Sequence, residues 1–363
     1  MSSRSGIITS GIIVALVFAG IGGFLYMTDP FAPRTVAVVV MEPGFGDLSF
    51  ADHFEEGLEN LQGDIPVEYR IPEELPSTQA EAVQILESLA QSQQHTLILA
   101  AGERLEGAVA SVAADYPSQE FAIIGGVVDA ENVASATFAT EQAAFLAGAL
   151  AAFVASEPSY TDIIGILGAT EEDAAITRMI NGFIQGVQNA NSTYDFNVEV
   201  LEPEYLNGYN ETALAESKTQ NMFIQQNVSI IFAPVRASIN GVRRAMENIN
   251  ATLRAEGRLP LVIGAEANQD YYGCANPEIP VAPSWIPTSV VPRTGEAAYD
   301  IINATLWNDF PGGKTFHYNL SNGGVNVTDF EYSSTYLNPI DGLMDALRDY
   351  RIQIIAGTLE INP

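Results

Sequence analysis

The residues best equipped for chemistry stand together in one short stretch, Gly44-Phe45-Gly46-Asp47-Leu48-Ser49-Phe50. Gly44 and Gly46 carry no Cβ, so the backbone there can come close to a ligand. Asp47 brings two acceptor oxygens, and Phe50 brings a flat apolar face. An acid beside an aromatic on a turn suits a ligand with a ring and polar edges, and a nucleoside is one such ligand. The same residues also fit a plain turn with Phe50 in the core, and both readings stand on this segment alone.

The turn follows an apolar run at 36–40 and precedes Phe54, Leu58 and Leu61 at helical spacing. Strand, glycine turn and helix is how an open parallel sheet presents a crevice at the carboxyl ends of its strands. The pattern continues along the chain. Short apolar runs at 96–100, 121–125, 163–167, 228–233 and 261–264 read as strands. Helical periodicity marks 79–91, 105–114, 140–155, 174–189, 210–226 and 238–256. Short apolar strands between longer helices imply parallel sheets covered on both faces. The segment 168–173 (GATEED) repeats the glycine turn before a helix, and its acids suit the first helical turn, where the dipole favours them. The pattern starts afresh near residue 160, which predicts two similar α/β lobes with a cleft between them. Residues 280–363 are less regular, with a strand-like 315–320, and read as the segment that crosses back and completes both lobes.

Recognisable catalytic constellations are missing. Gly44-x-Gly46 reaches Ser49 where a dinucleotide fingerprint needs glycine, and neither a phosphate-binding G-x-x-x-x-G-K loop nor a G-x-S-x-G elbow occurs. His53, His95 and His317 lack metal-ligand spacing, and Cys274 is the only cysteine. These features predict a binding protein without cofactor or metal, not an enzyme. The rival is an enzyme whose site is assembled from residues distant in sequence.

The formal net charge is −30, from 45 acidic and 15 basic residues, and only Lys218 and Lys314 are lysines. That balance argues against nucleic-acid binding and disfavours docking on anionic lipid. It suits a high-salt habitat or an ordinary acidic extracellular protein. Residues 6–27 run uncharged for 22 positions, long enough to span a bilayer as one helix. An uncleaved anchor with the body outside is expected, with a cleaved signal peptide as the rival. No cysteine follows the run to accept bacterial-type lipidation. Asn-x-Ser/Thr sequons begin at Asn191, Asn210, Asn227, Asn250, Asn303, Asn319 and Asn326, which fits a glycosylated external protein.

Five blocks in order resemble the basic membrane protein family of ABC-transporter substrate-binding proteins, which includes purine nucleoside receptor lipoproteins. They are 44–50 with Glu56-Gly57-Leu58; Val112, Tyr116-Pro117, 121–124 (FAII), Asn132 and 145–152 (FLAGALAA); 163–168 (IIGILG) with Gly182, Phe183 and Gly186; 262–269 (VIGAEANQ); and 318–325 (YNLSNGGV). The resemblance implies a periplasmic-binding-protein type I fold of two Rossmann-like lobes. Residues 1–33 would form stub, anchor and linker. Residues 34–156 plus about 286–325 would form lobe 1, and 157–285 plus about 326–363 lobe 2. It also implies capture of a nucleoside-like ligand for a separate permease and ATPase. In that scheme Asp47 hydrogen-bonds the base, with Gly46 beside it, and Phe50 stacks on it. Glu266 takes a family aspartate's place on ribose hydroxyls. Departures from the family are Ala51, Asn268 for a second aspartate, Pro292 for a ribose-binding lysine with Arg293 next to it, and 233–236 (APVR) in place of a glycine-rich loop. A ligand sensor or scaffold of the same fold, without transport, is the alternative.

Overall fold

The computed structural model describes residues 34–64 and 67–363. The expected membrane anchor at 6–27 lies outside them. Among the described residues no helix is long and apolar enough to cross a membrane.

Two sheets organise the chain. The first contains β1 (Arg34–Val40), β2 (Val67–Arg70), β3 (Leu97–Ala101), β4 (Glu120–Ile124), β5 (Val133–Phe138) and β12 (Thr315–Tyr318), in the order β12-β5-β4-β3-β1-β2. Every pairing in it is parallel. The second contains β6 (Ile163–Gly168), β7 (Glu199–Val200), β9 (Ile230–Phe232), β10 (Leu261–Ala265), β11 (Ser289–Pro292) and β13 (Val325–Val327), in the order β13-β11-β10-β9-β6-β7. There only β13 runs antiparallel, against β11, and a further short strand, β8 (Glu204–Tyr205), pairs with β6. Strands such as β3 (LILAA) and β10 (LVIGA) are buried at every residue, as parallel strands covered on both faces must be.

The helices are α1 (Phe50–Asp64), α2 (Gln79–Ser92), α3 (Glu106–Asp115), α4 (Thr140–Ala155), α5 (Ala174–Tyr194), α6 (Thr212–Ile224), α7 (Ile239–Ala255), α8 (Thr294–Leu306), α9 (Ser334–Leu337) and α10 (Leu343–Ile355). Their starts follow local chemistry. Thr78 and Glu81 form a reciprocal capping box at α2, and Asp173 caps α5 through Ala175 and Ile176.

The chain leaves the first lobe earlier than the expected boundary at 157. Helix α4 already packs on the second lobe, against α5, β11, β13 and α10. Every residue of α4 except Gln142 is buried, and glycines let it meet α5 backbone to backbone. A Cβ at Gly148 would stand 2.0 Å from the Phe183 carbonyl oxygen, and one at Gly186 would stand 2.1 Å from that of Phe145. Helical periodicity identifies α4 but does not say which sheet it covers. Similarly, Ser289–Pro292 extends the second sheet beside β10, while α8 returns to pack on α1 through Gly57 and Gly295.

Candidate functional site

The carboxyl ends of parallel strands from both sheets converge on one cleft, as the topology of open parallel sheets dictates. The turn after β1 contributes Met41, Glu42, Pro43 and Asp47 and the start of α1 Phe50 and Ala51, β3 is followed by Gly102, Glu103 and Arg104, and β4 by Gly125. From the other side come Asp173 after β6, Arg236 after β9, Glu266 after β10, and Pro292 at the end of β11. The cleft holds about 780 Å³ of space, its open mouth included.

Phe50, the first residue of α1, supplies the aromatic surface. Gly102 and Gly125 lie beside its ring, and a Cβ at Gly125 would come 3.6 Å from the ring edge. Both glycines have positive φ, +113° and +93°, a conformation that side chains resist. Asp47 also lines the cleft, but its oxygens hold the start of α1. Oδ1 accepts from the N–H of Ser49 at 2.8 Å and of Asp52 at 3.3 Å, and Oδ2 from that of Ala51 at 3.3 Å. Burial, with the charge of Glu266 adding to it, pushes the Asp47 carboxyl up to about 6 against the pull of those N–H groups.

The opposite wall is an ion network. Arg236 forks onto Glu266, with Nε to Oε2 at 2.9 Å and Nη2 to Oε1 at 3.0 Å. Its Nη2 also lies 3.3 Å from Asp173 Oδ2, which accepts the Tyr209 hydroxyl at 2.9 Å. Burial alone would raise the Asp173 carboxyl. The Arg236 guanidinium, Tyr209 and two helix N–H groups outweigh it and hold the group below its usual range. The guanidinium carbon stands 4.6 Å from the centre of the Tyr209 ring and 5.9 Å from that of Phe50, within cation–π range. Arg104 stands 4.8 Å from the same Tyr209 ring.

Four contacts stitch the walls together. Ser49 Oγ lies 3.1 Å from Glu266 Oε2 and 3.2 Å from the Ala265 carbonyl. Gln269 Nε2 donates to the Leu48 carbonyl at 2.7 Å, and Arg178 Nη2 to Glu103 Oε2 at 2.7 Å. Three non-glycine residues of this junction, Leu48, Arg236 and Glu266, hold positive φ of +53°, +50° and +67°. Such conformations persist where surrounding contacts over-determine them, and they gather at ligand sites.

Of the residues singled out in the sequence, Asp47, Phe50 and Glu266 therefore meet in the cleft. Gly46 sits exposed on the turn at φ +86°. Asn268 is exposed, its side-chain oxygen accepting from the Asp270 N–H at 3.1 Å. Arg293 is half exposed, 3.5 Å from Glu296, and its neighbour Pro292 is the residue at the cleft. Sequence reasoning did not place Arg104, Asp173, Arg178, Tyr209 or Arg236 in the site. All but Arg178 follow a strand within a few residues, and that position was the available signal. Among the described residues no cluster of His, Cys, Asp and Glu is placed to hold a metal ion.

Two parallel-sheet lobes that meet over a cleft lined by strand ends define the periplasmic-binding-protein-like class of fold. The family of ABC transporter substrate-binding proteins of the PnrA-like type matches residues 34–361, and the chain belongs to it. An ABC transporter nucleoside-binding protein of Lactococcus lactis is 26% identical over 90% of this chain and 88% of its own. An uncharacterized lipoprotein of Pyrococcus abyssi is 25% identical over 95% and 82%, and basic membrane protein D of Borreliella burgdorferi 26% over 81% and 78%. In three dimensions the chain is similar to an ABC-transporter solute-binding protein of Aeropyrum pernix, with a TM-score of 0.79 and 21% identity over 90% of this chain and 93% of that one.

Proposed function

We propose that the chain captures a nucleoside or related small polar ring compound in the inter-lobe cleft and delivers it to a separate ABC permease and ATPase. Phe50 is the stacking platform, and Asp47 keeps the turn beneath it in place. The observation that carries the reading is the Phe50 ring set on the bare backbone of Gly102 and Gly125 and facing an arginine–carboxylate wall. A flat face opposite fixed polar groups suits a planar ring with polar edges. The nucleoside-binding name of the Lactococcus relative supports the ligand class. We place the body outside the cell, anchored by segment 6–27 and glycosylated at some of its sequons. The only cysteine, Cys274, is buried in the fold.

Thermal unfolding of residues 34–363 against nucleosides, bases and sugars, at low and at molar salt, tests this. Selective binding to the native state raises the melting temperature saturably, and one nucleoside class is expected to do so. A cooperative transition that no nucleoside or base shifts would overturn the reading. The Ser49–Glu266 and Arg178–Glu103 contacts, which join the two lobes, are the observation behind one second reading, a sensor that signals by opening. Nucleoside uptake that survives deletion of the gene would favour it.

A further inference from the structure

We propose that Arg236 sets the specificity of the cleft by occupying Glu266, so that the site reads the ring of its ligand and makes no charged contact with sugar hydroxyls. This rests on the ring-binding reading above and names which part of the ligand is recognised.

Three buried carboxylates line the cleft, and the protein engages all of them. Asp47 accepts three backbone N–H groups. Asp173 caps α5 with Oδ1, and its Oδ2 takes Tyr209 and Arg236. Glu266 is 2% exposed, with Oε2 shared by Arg236 Nε and Ser49 Oγ and Oε1 taken by Arg236 Nη2. A guanidinium fork and a vicinal diol approach a carboxylate along the same edge, each with two parallel donors. They therefore compete for the same two oxygens. The fork holds the advantage, because it is charged at every working pH, stays attached to the chain, and is held by two acids and by the Tyr209 ring. A neutral diol that displaced it would strand a buried cation.

What the cleft still offers a ligand includes the face of Phe50, the unpartnered Thr140 hydroxyl and one end of the guanidinium. Nη1 of Arg236 has no acceptor among the described residues, whereas Nε and Nη2 are both engaged. Two N–H donors beside an aromatic face match a ring carrying a carbonyl or ring-nitrogen acceptor. Arg236 is a specificity-determining residue through both effects, since it blocks the diol contact and donates to the ring.

Calorimetric titration tests this with each nucleoside that raises the melting temperature and with its 2′,3′-dideoxy analogue. A hydrogen bond from hydroxyl to carboxylate is worth more than about tenfold in affinity. Nucleoside and dideoxynucleoside should therefore bind the wild-type protein within about threefold of each other. Arg236→Ala should weaken the dideoxy compound and open a preference for the hydroxylated one of about tenfold or more. A tenfold preference already present in the wild type would overturn the proposal, as would an unchanged ratio in a folded Arg236→Ala protein that binds both compounds. Glu266→Gln keeps an oxygen for Arg236 and serves should the alanine variant fail to fold. Equal changes for both ligands support the proposal, and selective loss of the nucleoside overturns it. If the wild type binds no nucleoside or base at all, the ring-binding reading itself falls, and this inference with it.

Discussion

In the first lobe the buried acid of the cleft, Asp47, accepts only from backbone N–H groups, and beside it the wall ends in the Phe50 ring. In the second lobe Asp173 and Glu266 share one guanidinium, which lies over the Tyr209 ring. Both walls grow from the carboxyl ends of parallel strands, so topology does not separate them. The separation comes from how each wall accommodates charge. Where helix N–H groups neutralise an acid, no mobile counter-ion is needed and the surface stays free for stacking. Where an arginine does so, the wall gains direction and a donor edge, and it loses its free carboxylates. A cleft built from one wall of each kind presents a flat face on one side and a donor edge on the other.

The contrast can be broken most severely at Arg236. Arg236→Ala leaves Asp173 and Glu266 buried and unpaired, which costs about 3–5 kcal/mol. Urea unfolding at neutral pH should show that loss, and adding Glu266→Gln should recover part of it. A variant as stable as wild type would mean that the network is open to water.

The second test uses titration. Asp270, under the second wall, accepts hydroxyls of Ser289 and Thr328, and burial pushes its carboxyl up to about 6. A folded-state value above the unfolded one means that the native state holds the proton more tightly. Stability from this group is then complete below about pH 4 and is lost as pH rises through about 6. Asp173 carries the opposite sign, since its contribution appears above the unfolded value and is lost as pH falls. Asp270→Asn should flatten the decline between pH 4 and 7 by at most about 3 kcal/mol, read from urea midpoints across that range.

Phe50→Ala comes next. Removing the platform should weaken ligand binding by about 1–3 kcal/mol and leave the second wall's response to pH unchanged. Affinity equal to wild type would place the ring elsewhere in the cleft. The smallest effect belongs to Asp47→Ala, which removes the cap of α1 and should lower stability by about 1 kcal/mol. If Asp47 also meets the ligand, affinity falls by more than the loss of stability explains.

Local pattern alone determined most of the order of elements. The apolar runs at 36–40, 121–125 and 163–167 become β1, β4 and β6, and the periodic segments at 140–155 and 238–256 become α4 and α7. Each is set by burial on both faces of a strand or along one side of a helix, a property of neighbouring residues. β5 (VASATF) lacks the run of branched side chains that marks a strand, and its place depends on pairing with β4 and β12. The turn at 44–50 was legible as a candidate site for the same local reason. Tertiary structure decided the rest. It assigned α4 to the second lobe, gave the oxygens of Asp47 to a helix start, and left Asn268 and Arg293 outside the cleft. It also brought Arg236 onto Glu266 and set Ser49 against a residue 217 positions away. No periodicity encodes which strand ends will face one another across a cleft. That follows from how two sheets close, and the charges that meet there settle what each residue can still offer a ligand.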